Sequence, residues 1–156
     1  MDLKQLYQDI ILEHGKSPRN FGRCKKHTHE AKGYNPLCGD KVQIFLNLNK
    51  EKKVENLTFE GSGCAISIAS TSIMTELVKG KSLEAAKKIV FDFLDMIKNT
   101  QEIKSEELDE DQKTTIMSLS GVKQYPMRVK CATLGWHTLN SAMLEKKEEV
   151  NTEAID

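Results

Sequence analysis

The stretch Gly61-Ser62-Gly63-Cys64-Ala65-Ile66-Ser67 decides how this chain is read. A β-type run passes through two glycines into a cysteine and then into a helix of small residues. Glycine has no Cβ, so Gly61 and Gly63 let the backbone turn sharply and come close to a bound ion. Cys64 is left at the first turn of the helix, where the helix dipole favours a thiolate. Cys38 in Asn35-Pro36-Leu37-Cys38-Gly39-Asp40 and Cys131 in Arg128-Val129-Lys130-Cys131-Ala132-Thr133-Leu134 have comparable settings. The three cysteines and Asp40 read as one metal site with the spacing C-x-D-x23-C-x66-C. No C-x2-C knuckle announces it, but each cysteine stands at an element boundary, the kind of rigid place from which zinc takes four ligands. On the residues alone a second reading stays open, in which the cysteines are small buried hydrophobes.

Immediately upstream, Lys41 to Leu48 alternates, with Val42, Ile44, Leu46 and Leu48 on one face and Gln43, Phe45 and Asn47 on the other. The polar turn Asn49-Lys50-Glu51-Lys52 follows, and Val54 to Glu60 then carries Leu57 and Phe59 on one face, so the two runs predict an antiparallel hairpin. Such a pair returns to the end where it began. Cys38 and Asp40 at its entry and Cys64 at its exit are therefore expected to be neighbours.

Farther out the spacing is helical. Leu3, Leu6, Tyr7, Ile10 and Ile11 predict a helix over 3–14, with Asp2 and Gln5 placed as a capping box and Gly15 as the C-terminal cap. Ser17-Pro18-Arg19-Asn20-Phe21-Gly22 then forms an ordered loop. His14 at the helix end complements the dipole or serves a site, and Arg19 is equally ambiguous. Cys24, His27 and His29 have poor spacing for a zinc cluster and lack a fourth local ligand, so residues 23–35 read as an ordinary loop with a free thiol. After Cys64, the stripe Ile66, Ala69, Ile73 and Leu77 predicts a helix stopped by Gly80. Ser82 caps a second helix whose Ala86, Ile89, Val90, Phe93 and Ile97 face a core. Residues 101–113 carry six acidic and two basic side chains and read as a solvated connector or short surface helix. Gly121 and Pro126 bracket a loop leading to Cys131, and Ala132, Trp136, Leu139 and Met143 mark a last helix.

The 156 residues suit one domain over 1–144, followed by a polar tail, 145–156, expected to fray. Lys plus Arg and Asp plus Glu both number 23, and no basic block stands out, which argues against nucleic acid and anionic membranes as partners. No apolar run approaches the ~20 residues of a spanning helix, and the N-terminal residues lack the pattern of a signal peptide. A cytoplasmic protein is expected. There, four cysteines are better explained as metal ligands or reactive thiols than as disulfides.

Leu6-Tyr7, His14, Pro18-Arg19-Asn20, Asn35-Pro36-x-Cys38-Gly39-Asp40, Gly61-x-Gly63-Cys64-x-Ile66-Ser67 and Arg128-x-Lys130-Cys131-Ala132-Thr133-Leu134 together closely resemble the SufU branch of the NifU-like/IscU-like proteins of iron–sulfur cluster assembly. The resemblance covers nearly the whole chain. It implies an α+β fold, with a small three-stranded antiparallel sheet and helices packed on one side. It also implies that Cys38, Asp40, Cys64 and Cys131 ligate zinc, that Cys38 accepts sulfur from a SufS-type cysteine desulfurase, and that Arg128 assists at the site. A downstream cluster scaffold or other acceptor would then take the sulfur. Scaffold-type IscU proteins carry a histidine immediately before the third cysteine, where this chain has Lys130. An ammonium offers a metal no lone pair, so a zinc-dependent sulfurtransferase is favoured. The alternatives are a scaffold holding a transient iron–sulfur cluster and an adaptor, stabilised by zinc, that activates the desulfurase.

Overall fold

In a computed structural model that describes residues 2–99, 103 and 105–155, Asp2 caps helix α1 (Leu3–Lys16) by accepting a hydrogen bond from the Lys4 amide at 2.7 Å. No capping box closes, because Gln5 donates to Asp9 instead. The helix runs through Gly15 and is capped by Ser17. Strand β1 (His29–Asn35) follows, then β2 (Asp40–Leu48) and β3 (Val54–Ser62), each antiparallel to the one before it.

Two corrections to the sequence reading concern the sheet. Residues 29–35, read as loop, form a strand whose inward positions are Ala31, Gly33 and Asn35. These residues carry almost no apolar signal, yet the strand forms because β2 supplies a full antiparallel ladder. The expected three-stranded antiparallel sheet is a four-stranded mixed one, ordered β3-β2-β1-β4. Its fourth strand, β4 (Val150–Asn151), comes from the tail expected to fray and runs parallel to β1, pairing Val150 with Gly33 and Asn151 with Tyr34. Thr152, which follows, is buried and donates to Asn35 Oδ1 at 2.9 Å, giving the polar tail a specific anchor. Asp156, at its end, lies outside the described residues.

The helices cover the sheet face that carries Val42, Ile44, Leu46, Leu57 and Phe59. Phe45, on the opposite face, is also fully buried, because the 23–28 loop folds over it: the His27 ring meets it edge-on at 5.2 Å and the Arg23 guanidinium sits 5.3 Å from its ring centre. Helix α2 (Ala65–Val78) runs through the middle of the molecule. Of its apolar stripe Ala69, Ile73 and Leu77 are buried as expected and Ile66 is half-buried, but Ser67, Ser70, Thr71, Ser72 and Thr75 are buried too. Helix α3 (Leu83–Asn99) presents Ala86, Ile89, Val90, Phe93 and Ile97 to the core, with Ser82 Oγ accepting from the Ala85 amide at 3.1 Å. Within the acidic stretch Gln101, Glu102 and Lys104 lie outside the described residues, while Asp109 closes a capping box onto α4 (Glu110–Ser118). Two short 3-10 turns, Leu119–Gln124 and Pro126–Arg128, lead into α5 (Val129–Met143), whose Trp136 stacks on Phe93 at 3.9 Å. Among the described residues no helix is long and apolar enough to cross a membrane.

His14 is buried at the end of α1, with Nδ1 2.8 Å from Ser72 Oγ. Ser72 Oγ accepts from the Arg19 amide at 2.8 Å, so its own proton is free to point at the imidazole nitrogen. The motif Pro18-Arg19-Asn20 thus ties the α1 exit to α2, a task in which His14 is neutral rather than a cationic complement to the dipole. Burial chiefly, and Arg19 next, lower its pKa from the usual 6.5. The unfolded chain then binds more protons than the folded one below that value, so stability rises with pH through the window just under 6.5. Urea denaturation between about pH 5 and 7 should show a steeper loss on acidification for the wild type than for His14→Gln. Parallel slopes would mean that His14 does not contribute to the pH dependence.

Candidate metal centre

Four elements converge on one corner of the sheet. Asn35 and Asp40 are cross-strand partners, so residues 36–39 form the turn between β1 and β2, with Gly39 at φ +69°. Cys38 is partly exposed on this turn, whereas Asp40, the first residue of β2, is fully buried. The pairing of Lys41 with Ser62 brings the end of β3 beside Asp40, and Cys64 follows as the N-cap residue of α2. Gly63 joins them at φ +136°, and a Cβ there would run into the Asp40 carboxylate and stand 2.8 Å from its Cα. Cys131, buried in the first turn of α5, closes the corner from the other side.

The ligand atoms of Cys38, Asp40 and Cys131 lie within 4.8 Å of one another, and the Cys38 and Cys131 sulfurs are 3.1 Å apart. The structure brings these three expected ligands into one cluster. Cys64 stands at its edge, its amide donating to Asp40 Oδ1 at 2.8 Å. Sequence reasoning assigned no role to Asn35, whose fully buried Nδ2 donates to Asp40 Oδ2 at 3.0 Å and reaches Cys131 Sγ at 3.4 Å. Its signal was its place beside Pro36 and Cys38, but that context also suits an ordinary turn residue.

The electrostatics favour a cation. Asp40 is a buried carboxylate held only by neutral donors, and among the described residues no lysine, arginine or histidine forms an ion pair with it. Burying such a charge without a counter-charge is expensive. The neighbouring Cys131 thiol, together with the Ser67 and Ile66 amides at the start of α2, pulls the Cys64 pKa down to about 6 against the opposing effect of burial. Cys131 is correspondingly pushed up, because it is the partner that keeps the proton and is buried. Arg128 Nη1 donates to Cys38 Sγ at 3.4 Å. Lys130 faces the tail, 3.5 Å from Glu153 Oε1. Soft thiolates with one carboxylate make a donor set suited to zinc or iron, and the cluster can take such an ion.

The other cysteine and its histidines point to separate partners. Cys24 donates to Lys26 O at 3.1 Å, His27 Nδ1 meets Cys24 O at 2.7 Å, and His29 Nε2 lies 3.4 Å from Glu145. Among the described residues they form no metal-holding group.

Fold and site together define a class. Residues 6–145 match the NifU-like N terminal domain, and the chain belongs to that family. Among individual proteins, it is 36% identical over 146 residues to the Bacillus subtilis zinc-dependent sulfurtransferase SufU, covering 94% of this chain and 95% of that one. It is 35% identical over 141 residues to the Streptococcus pyogenes iron–sulfur cluster assembly scaffold protein IscU, covering 90% of this chain and 84% of the relative. The crystal structure of FiSufU from Fervidobacterium islandicum AW-1, described as a candidate cluster assembly scaffold for the SUF system, superimposes with a TM-score of 0.77 at 32% identity over 89% of this chain and 97% of that one.

Two outcomes follow from the geometry. Gly63→Ala should cost about 2–4 kcal/mol in urea denaturation, since a positive φ and a collision with Asp40 act together. A variant as stable as wild type would mean that the Gly63–Asp40 contact can relax. In metal-free protein, alkylation of Cys64 should fall off as pH drops through about 6, because the thiolate is the reactive form. Cys131 should resist throughout. Mass spectrometry of alkylated peptides across pH checks both, and a Cys64 profile centred at the ordinary thiol value of 9.0 would mean that Cys131 and the α2 amides do not stabilise the Cys64 thiolate.

Proposed function

We propose that this chain is a zinc-dependent sulfurtransferase that accepts persulfide sulfur from a SufS-type cysteine desulfurase during iron–sulfur cluster biogenesis in the cytoplasm. The observation that carries the reading is the pairing of Cys38, on an exposed turn, with the Arg128 guanidinium beside a buried carboxylate and thiol. The name of the Bacillus relative supports the activity. Cys38, Asp40, Cys64 and Cys131 are the proposed zinc ligands. The bound ion keeps coordinated thiols deprotonated and ties together the elements that carry them.

Transfer requires a thiolate that a second protein can reach. Among the thiols of the cluster, Cys38 sits on a turn, next to exposed Leu37, and Met127, also exposed, precedes in the chain the Arg128 that meets its sulfur. The exposed Leu37 and Met127 are the proposed apolar part of the desulfurase contact. The Cys38 thiolate attacks the outer sulfur of the partner's persulfide. A new S–S bond forms on Cys38, the partner's S–S bond breaks, its cysteine leaves as a thiolate, and the proton of the outer sulfur travels with that sulfur. Arg128 offsets negative charge at Cys38. A downstream scaffold or other thiol acceptor then removes the sulfur.

The name of the Streptococcus relative favours a second reading, in which the same thiolates hold a nascent iron–sulfur cluster. Metal analysis should find one zinc per chain, and incubation with desulfurase and cysteine should add one sulfur atom to the peptide bearing Cys38. Cys38→Ser should abolish that gain. If anaerobic addition of iron and sulfide instead displaces zinc and yields a stable cluster, with no persulfide on Cys38, the scaffold reading replaces the first.

A further inference from the structure

The family match ends at residue 145, yet the segment beyond it reaches the metal centre. After β4 pairs with Gly33 and Tyr34, a 3-10 turn (Thr152–Ala154) begins, held by Asn151 Oδ1 accepting from the Glu153 amide at 2.9 Å. The turn places Thr152, 1% exposed, against Asn35, 0% exposed. Thr152 Oγ1 donates to Asn35 Oδ1, and the other end of the same amide donates to Asp40 and Cys131. A buried chain of hydrogen bonds therefore runs from the tail, through one side-chain amide, to two atoms of the candidate ligand cluster.

The chemistry of the amide gives this chain a direction. Asn35 can offer its NH2 to the anionic corner only if its oxygen points away, and a hydroxyl that donates to that oxygen pins this orientation. With the tail undocked, the amide loses its anchor. Rotation would then turn its oxygen toward the Asp40 carboxylate, which is repulsive. Lys130, one residue before Cys131, adds an ion pair to Glu153 on the same segment. Partners of this kind behind a metal ligand fix its orientation and affect how firmly the metal is held.

We propose that Thr152 is a positioning residue for the metal centre, and that docking of segment 150–155 and retention of the metal are coupled through Asn35. The inference rests on the metal reading given above and adds to it a control element outside the family-matched region. Coupling is reciprocal: if the docked tail slows metal loss, the bound metal must stabilise the docked tail.

The test uses the full chain loaded with zinc, as wild type, Thr152→Val and Thr152→Ser. Zinc release to a chromophoric chelator should be at least about 5-fold faster for Thr152→Val, with Thr152→Ser close to wild type because it keeps the donor. In wild type, hydrogen exchange of the 150–154 amides should speed up when zinc is removed. A purely structural tail would behave differently. Its amides would exchange faster in Thr152→Val while zinc release stayed unchanged, and that result overturns the coupling. Equal tail exchange with and without zinc overturns it as well. A wild type that binds no zinc overturns both the metal reading and the inference, whereas zinc bound with an indifferent tail overturns the inference alone.

Discussion

A single buried carboxylate organises this molecule. Asp40 starts β2, faces Asn35 across the turn, receives the Cys64 amide, and leaves so little room that residue 63 has to be glycine. Each neighbour belongs to a different part of the chain. Satisfying Asp40 therefore fixes, at one point, the closing of the first hairpin, the end of the second and the start of α2. Its partners inside the protein are neutral donors, and they stabilise the charge without cancelling it. The thiols of Cys38 and Cys131 are grouped with this oxygen, so the cation that would complete the arrangement would also be held by sulfur.

The second requirement is that α2 and α5 approach closely, since Cys64 at the N-cap of α2 and Cys131 in the first turn of α5 come to the same corner. Small side chains make that possible. A Cβ on Gly135 would strike the Thr71 hydroxyl, which shows how near the helices lie. Ser70 links them directly: its hydroxyl donates to Ala132 O at 2.6 Å and accepts from Trp136 Nε1 at 2.9 Å. Leucine or isoleucine at these positions would bury more apolar area but push the helices apart. The hydroxyl-rich sequence of α2 thus gives up hydrophobic content for proximity, and the hydroxyls of Ser70, Thr71, Ser72 and Thr75 find partners within or beside the helix, as Thr71 does on Ser67 O.

Features that rest on local periodicity were legible in the sequence. Alternation in 41–48 and 54–60 gave the hairpin, and its antiparallel geometry correctly placed Cys38, Asp40 and Cys64 in one neighbourhood. Helical stripes gave α1, α2, α3 and α5. What stayed hidden depends on contacts between distant residues. Strand β1 faces the core with Ala31, Gly33 and Asn35, chosen to let α5 lie close: a Cβ on Gly33 would collide with Thr138 and crowd Leu134. Phe45 shares a strand face with Gln43 and Asn47, and nothing in 41–48 reveals that the 23–28 loop folds back over it. The bond from Thr152 to Asn35 spans 117 positions, and a threonine in a polar tail carries no sign of it. The link from Tyr7 toward Tyr125, stacked at 6.4 Å, is equally silent in sequence.

The substitution of Lys130 at the position before Cys131 acquires a physical meaning from this arrangement. The sequence reading treated it as an absent ligand. The structure gives it to Glu153, so it serves the tail. Compensation at the sulfur cluster then falls on Arg128, which is solvent-exposed, lies on the 3-10 turn Pro126–Arg128 and meets Cys38, the ligand candidate on the exposed turn. The corner is consequently asymmetric. Asp40 and Cys131 are buried and braced by Asn35, while Cys38 and its guanidinium partner face outward on short connecting segments. Such a division allows one thiolate to be reached and to move while the others hold the fold.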